Sequence, residues 1–129
     1  MRLLLDTHAF LWFVMDSPKI SEQASSLIES AENDVYLSVA SIWEIAIKVS
    51  IGKLRIDERL EDFIMPELEN NQFSLLNIEV RHLGKVVELP FHHRDPFDRL
   101  LAAQSLTMNI PILSRDPTFD LYEEMERIW

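Results

Sequence analysis

The chain contains no cysteine, which excludes disulfides, thiolate metal sites and thiol nucleophiles. Its two glycines, Gly52 and Gly84, are too few for a glycine-rich loop that cradles phosphate. Positive charge is scarce as well: 12 Lys and Arg stand against 22 Asp and Glu, a net charge of −10. A generic nucleic-acid binder carries a basic face, because phosphate neutralisation supplies most of its non-specific affinity. An acidic chain can still act on nucleic acid where a bound divalent cation supplies positive charge locally, and the same balance suits a basic protein partner. Long apolar runs are missing too. Arg2 and the apolar residues after it superficially resemble a signal peptide, but Asp6, Thr7 and His8 interrupt them. No later run approaches the ~20 residues of a membrane helix. A soluble, unprocessed protein with no membrane segment is the expectation, and a cytoplasmic location fits the missing cysteine.

What is present is enough apolar material, 47% of 129 residues, for the core of a single domain spanning residues 1–129. Arg2 to Leu5 reads as a buried strand running into a helix over Thr7 to Met15. Ser21 caps a second helix to Ala31, with Ala24, Leu27, Ile28 and Ala31 on one stripe. Val35 to Val39 is rich in strand formers, and Ala40 to Ile51 is a helix apolar on most sides. Leu60 to Phe73 is amphipathic, with Pro66 expected to bend or split it. Phe73 to Ile78 is a short strand and Glu79 to Val87 a short helix. Asp95-Pro96 starts a helix that runs to about Met108. Ile110 to Ser114 is a strand, Asp116-Pro117 another helix start, and Arg127 to Trp129 a terminal strand. Helices alternating with short apolar strands predict an α/β fold with a mainly parallel sheet. Ligands in such sheets sit beyond the carboxyl ends of the strands.

Four acids stand beside core material: Asp6, Glu44, Asp98 and Asp116. A bare carboxylate is costly to bury, so each must be solvated, paired or bound to a cation. Asp6 has a plain alternative as a helix cap worth ~1 kcal/mol, and Asp116 before Pro117 has the same one. Asp98 sits three residues after the Asp95 cap, where the helix dipole favours an acid. Glu44 is hardest to dismiss. An i,i+4 pair with Lys48 explains it only as a surface contact of ~0.2–0.5 kcal/mol, and the helix around it is otherwise apolar. If the four converge, they form an oxygen-rich metal site. His92 and His93 read as loop or surface residues, since adjacent side chains diverge. Nothing makes His8 a ligand, and Trp12, Trp43 and Trp129 read as core.

Leu3-Leu4-Leu5-Asp6-Thr7-His8, Ser41-Ile42-Trp43-Glu44-Ile45 with Lys48, Asp95-Pro96-Phe97-Asp98-Arg99-Leu100-Leu101-Ala102-Ala103-Gln104 and Leu113-Ser114-Arg115-Asp116 together resemble the PIN-domain family. Within it they are similar to the VapC-type toxins of bacterial toxin–antitoxin pairs. The resemblance spans essentially the whole chain with no acid missing, and Ser114 stands where many members have Thr. It implies a three-layer α/β/α sandwich and a Mg²⁺- or Mn²⁺-dependent ribonuclease acting on RNA. It further implies a dimeric toxin whose active site a cognate antitoxin blocks. Asp6 and Asp98 are then the main metal ligands, Glu44 and Asp116 complete the shell, and Thr7 and Ser114 hydrogen-bond the carboxylates or a metal-bound water. Lys48, Arg99 and Arg115 are candidates for substrate phosphate.

Two other classes compete. A receiver-like phosphorylation domain has similar length and acid-rich strand ends, but it places adjacent acids after the first strand and a lysine after a late one. Here Asp6 is single and no lysine follows Lys85. A noncatalytic module would use the acids as caps and as a docking face for a basic partner.

Overall fold

The computed structural model describes all residues, 1–129. Five strands, β1 (Arg2–Leu5), β2 (Asp34–Ser38), β3 (Ser74–Leu76), β4 (Ile112–Leu113) and β5 (Arg127–Ile128), form one sheet in the order β3-β2-β1-β4-β5. Every pairing is parallel. Six helices connect them: α1 (Thr7–Val14), α2 (Glu22–Glu29), α3 (Val39–Ser50), α4 (Leu60–Asn70), α5 (Val80–Glu88) and α6 (Pro96–Met108). A 3₁₀ turn occupies Pro117–Leu121.

The period-two alternation of a strand explains the layers. Leu3, Leu5, Val35, Leu37 and Leu113 point to one face, where they pack with Phe10 of α1, Ile28 of α2, Ile45 of α3 and Ile64 and Leu68 of α4. Leu4 and Ile112 point to the other, against Leu101, Ala102 and Ala103 of α6 and against Phe119 and Tyr122. A sheet covered on both faces needs apolar residues at consecutive positions, which is why Leu3, Leu4 and Leu5 are all fully buried. Burying each such leucine contributes roughly 1.5–3 kcal/mol. The result is the three-layer α/β/α sandwich. Its strand order differs from the 2-1-3-4-5 order of receiver-type domains, which removes that alternative.

Three expectations need correction. Pro66 lies inside an unbroken α4. It and Asp62, whose carbonyl lacks an N–H partner one turn back, are both exposed, so water can satisfy that carbonyl. The fourth strand is shorter than Ile110 to Ser114 because Ile110 belongs to the end of α6: its N–H donates to Ser105 O at 3.1 Å and its carbonyl accepts Ser105 Oγ at 2.6 Å. None of the three tryptophans is core; Trp43 is exposed, and Trp12 and Trp129 are partly buried.

Sequence order along the sheet reverses at β1. The chain steps outward from β1 to β2 and β3, then returns to place β4 on the other side of β1. The crevice beyond the carboxyl ends of β1 and β4 is therefore the topological switch point, where open α/β sheets place ligands. Asp6 follows β1 directly, and Ser114 to Asp116 follow β4.

Candidate metal centre at the switch point

Asp6 caps α1, its Oδ1 accepting the His8 N–H at 2.7 Å. Its Oδ2 accepts the Ser114 hydroxyl at 2.5 Å, and Ser114 Oγ in turn accepts the Asp116 N–H at 3.0 Å. Ser114 thus ties the ends of β1 and β4 together. Burial raises the Asp6 pKa above the ordinary carboxylate value; the bonds from Ser114 and His8 oppose the rise, and the Glu44 charge adds to it.

Asp98 follows the Asp95 cap, whose side chain takes the Phe97 and Asp98 N–H groups. That cap aims the first turn of α6, and the Asp98 carboxylate, into the crevice. No donor contacts this carboxylate. Burial, and then the charges of Asp95, Asp6, Glu44 and Asp116, push its pKa up to about 7. Asp6, Glu44 and Asp116 thus lie near enough for their charges to act on Asp98.

Glu44 projects from the middle of α3 and pairs with Lys48 at 3.1 Å, its side chain only 13% exposed. The pair is more enclosed than the surface contact that sequence suggests. Asp116 caps the 3₁₀ turn with Oδ1, which accepts the Thr118 N–H at 2.9 Å. Burial works to raise the Asp116 pKa, but bonds from His93 and Thr118 outweigh it and hold the pKa below the usual range.

His93 is the residue that sequence reasoning missed. Read there as surface or loop, it is buried. Its ligand nitrogen and one carboxylate oxygen each from Asp98 and Asp116 lie within 4.8 Å of one another. Its Nε2 is 2.8 Å from Asp116 Oδ2, and its Nδ1 is 2.8 Å from Tyr122 Oη. The Tyr122 oxygen also accepts the His93 backbone N–H at 3.3 Å. An ionised carboxylate only accepts, so His93 Nε2–H is the donor to Asp116; in the neutral imidazole Nδ1 then accepts the Tyr122 hydroxyl. The one available sequence signal was position: His93 lies two residues before the Asp95 cap of the helix that carries Asp98.

Other expected roles are redistributed. Thr7 Oγ1 donates to Ser41 Oγ at 2.9 Å, joining α1 to α3, and touches no carboxylate. Arg99, a candidate for substrate phosphate, is buried and structural. It donates to Pro90 O at 3.0 Å, Val86 O at 2.9 Å and Leu89 O at 3.3 Å, and lies 4.0 Å from the Phe91 ring centroid. Arg115 is exposed over the Trp12 ring, at 4.6 Å.

The donor set fits a hard divalent cation. Carboxylate oxygens dominate it, a serine hydroxyl and an imidazole support it from behind, and each bonded carboxylate oxygen keeps a free lone pair. Two of these carboxylates, Asp6 and Asp98, have raised pKa values, the condition that a bound cation relieves.

An all-parallel sheet with its acids gathered at the switch point defines an α/β protein with a carboxylate centre. The family profile of the PIN domain matches residues 3–124, and this chain belongs to the PIN domain family, which supports a nuclease role. No curated protein sequence matches the chain. Among solved structures it is similar to VapBC2 from Rickettsia felis bound to a DNA fragment from its promoter. That match has a TM-score of 0.76 at 15% identity and covers 99% of this chain and 98% of that one. FitAcB from Neisseria gonorrhoeae matches with a TM-score of 0.69 at 18% identity, covering 98% and 96%. A toxin–antitoxin complex from Klebsiella pneumoniae matches with a TM-score of 0.63 at 13% identity, covering 98% and 96%.

Proposed function

We propose that this chain is a VapC-type toxin: a Mg²⁺- or Mn²⁺-dependent ribonuclease held in check by a cognate antitoxin, acting in the cytoplasm as a homodimer. The observation that carries the reading is Asp98, a half-buried carboxylate with no donor, pushed up to about 7 by burial and its acidic neighbours. Such a group costs stability unless a cation takes it up.

Asp6 and Asp98 are the principal ligands in this reading, and Glu44 and Asp116 complete the shell directly or through water. When bound, the cation supplies a water of lowered pKa and neutralises charge on the phosphodiester. The chain's own residues hold the arrangement. Ser114 orients Asp6, Lys48 holds Glu44, and the His93 Nε2–H fixes Asp116. Glu44 and Asp116 would then be the residues that position the attacking water.

Partner surfaces fit the same reading. A groove of about 230 Å³ between α3, α5 and α6 is lined by Trp43, Leu83, Val86, Pro96, Phe97 and Leu100. Val80 and Val87 extend this apolar face of α5 and are 84% and 85% exposed. A second copy of the chain is the occupant we assign to it. No helix is long and apolar enough to cross a membrane.

The test is cleavage. Antitoxin-free protein with Mg²⁺ or Mn²⁺ should cut a broad RNA pool and lose that activity with EDTA. If the wild-type chain cuts no RNA in such a pool, the ribonuclease reading loses its support.

A further inference from the structure

The crevice continues past the acids into a cleft of about 420 Å³, lined by Asp6, His8, Trp12, Lys19, Arg115, Asp116 and Pro117. That volume lies within the ~300–1,000 Å³ range of small-ligand sites. Its two walls differ in chemistry. One wall is the carboxylate centre. The other is an aromatic shelf: the His8 ring stacks on Trp12 with centroids 5.4 Å apart and planes at 28°, and Trp129 packs edge-on behind Trp12 at 5.8 Å. His8 is exposed, so the outer face of the shelf is open.

Cations flank the shelf. Arg115 lies 4.6 Å and Lys19 5.9 Å from the Trp12 ring centroid. Their freedom is unusual in this chain. Lys48, Arg55, Arg59, Arg81, Lys85 and Arg127 are all ion-paired. Arg2 and Arg99 donate to backbone carbonyls. Only Lys19, Lys53, Arg94 and Arg115 lack a carboxylate or carbonyl partner, and two of these four line the cleft. A chain of net charge −10 therefore places two of its four cations without such partners beside an aromatic shelf that adjoins Asp6 and Asp116.

We propose that this cleft is a nucleotide subsite: an unpaired base next to the scissile phosphate stacks on the His8–Trp12 shelf, and Arg115 and Lys19 hold the phosphate flanking it. The inference rests on the ribonuclease reading and names the part of the substrate that this wall takes. Base stacking on aromatic and guanidinium planes tolerates sequence and requires the base to be splayed out of a helix. The subsite accordingly selects single-stranded over duplex RNA.

The test measures binding without cleavage. In full-length, antitoxin-free Asp98→Asn protein, the anisotropy of a fluorescein-labelled, mixed-sequence single-stranded RNA gives its affinity, with the same sequence as a duplex for comparison. Trp12→Ala should weaken single-strand binding about tenfold or more, and Trp12→Phe should keep most of it. Arg115→Ala and Lys19→Ala should each weaken binding and flatten the log–log salt slope by about one. Arg55→Ala, which removes a remote cation paired with Asp57, should change nothing. If Trp12→Ala unfolds, His8→Ala carries the same expectation with Trp12 in place. Unchanged affinity in the shelf and cation variants overturns the subsite while leaving the nuclease reading intact. If neither the Asp98→Asn protein nor the wild type in EDTA binds single-stranded RNA, the subsite is overturned, since its aromatic and cationic contacts need no metal ion; the nuclease reading is decided separately by the cleavage test.

Discussion

His93 Nε2 lies 2.8 Å from Asp116 Oδ2, while its Nδ1 faces the buried Tyr122 hydroxyl at the same distance. The imidazole is a clamp between a buried phenol and an acid of the centre. Groups that orient a metal ligand from behind typically matter by 10–100-fold in affinity or activity. His93→Ala should weaken Mn²⁺ binding and slow cleavage by about that factor, with the fold kept by circular dichroism. His93→Gln, which restores an N–H donor, should recover part of both. Calorimetric titration of Mn²⁺ checks the first effect independently of turnover.

Asp98 makes the metal-free protein pH-sensitive in a defined direction. In the unfolded chain it ionises near 4; in the fold it keeps its proton up to about 7. Between those values the folded state binds more protons, so this group's contribution to stability falls as pH rises through the window and levels off above it. At pH 8 without metal, Asp98→Asn should be more stable than wild type by on the order of 1 kcal/mol, after allowing for solvent screening. Thermal melts of both proteins at pH 5 and pH 8 check this: the advantage of the variant should shrink at the lower pH.

The same proton competes with the cation. Metal affinity should rise with pH up to about 7 and flatten beyond it, because binding requires the ionised Asp98. At pH 6 each binding event should release close to one proton from this group. Titrations in buffers of different ionisation enthalpy measure that release.

Arg99 should behave as a structural residue. Its guanidinium joins the start of α6 to the Val86, Leu89 and Pro90 carbonyls. Arg99→Ala should destabilise the fold by about 2–4 kcal/mol, since the loss removes the guanidinium donor from the buried Leu89 carbonyl and the part-buried Pro90 and Val86 carbonyls and leaves the space of a buried side chain. Arg99→Lys should rescue it poorly, because an ammonium cannot reproduce the fork. Denaturant unfolding is the measurement, and a near-wild-type midpoint with reduced RNA affinity would return Arg99 to the substrate.

Local patterns carried much of the fold. The Leu3-Leu4-Leu5 run, the Asp95-Pro96 cap and the stripe of the second helix each depend on residues close in sequence, and the structure places elements there. Misreadings arose where a distant partner decides the outcome. His93 is defined by Tyr122, 29 residues away. Arg99 is decided by carbonyls that α5 brings across. Trp12 and Trp43 have the composition of core residues, but their positions at the rims of the crevice and the apolar groove emerge only when helices pack. The acids themselves were legible as candidates because each sits beside core material; the action of the other three charges on Asp98 was not, since it requires β4 to return beside β1.

The claim at the centre of this account is that Asp6, Glu44, Asp98 and Asp116 form one divalent-cation centre. Titrating Mn²⁺ into wild-type, Asp6→Asn, Glu44→Gln, Asp98→Asn and Asp116→Asn proteins, with bound metal read by electron paramagnetic resonance, tests it most directly. The account predicts saturable binding by the wild type, loss of that binding in Asp6→Asn and Asp98→Asn, and weakened binding in the other two. Wild-type binding that survives unchanged in both Asp6→Asn and Asp98→Asn, or no Mn²⁺ binding by the wild type at all, would contradict it.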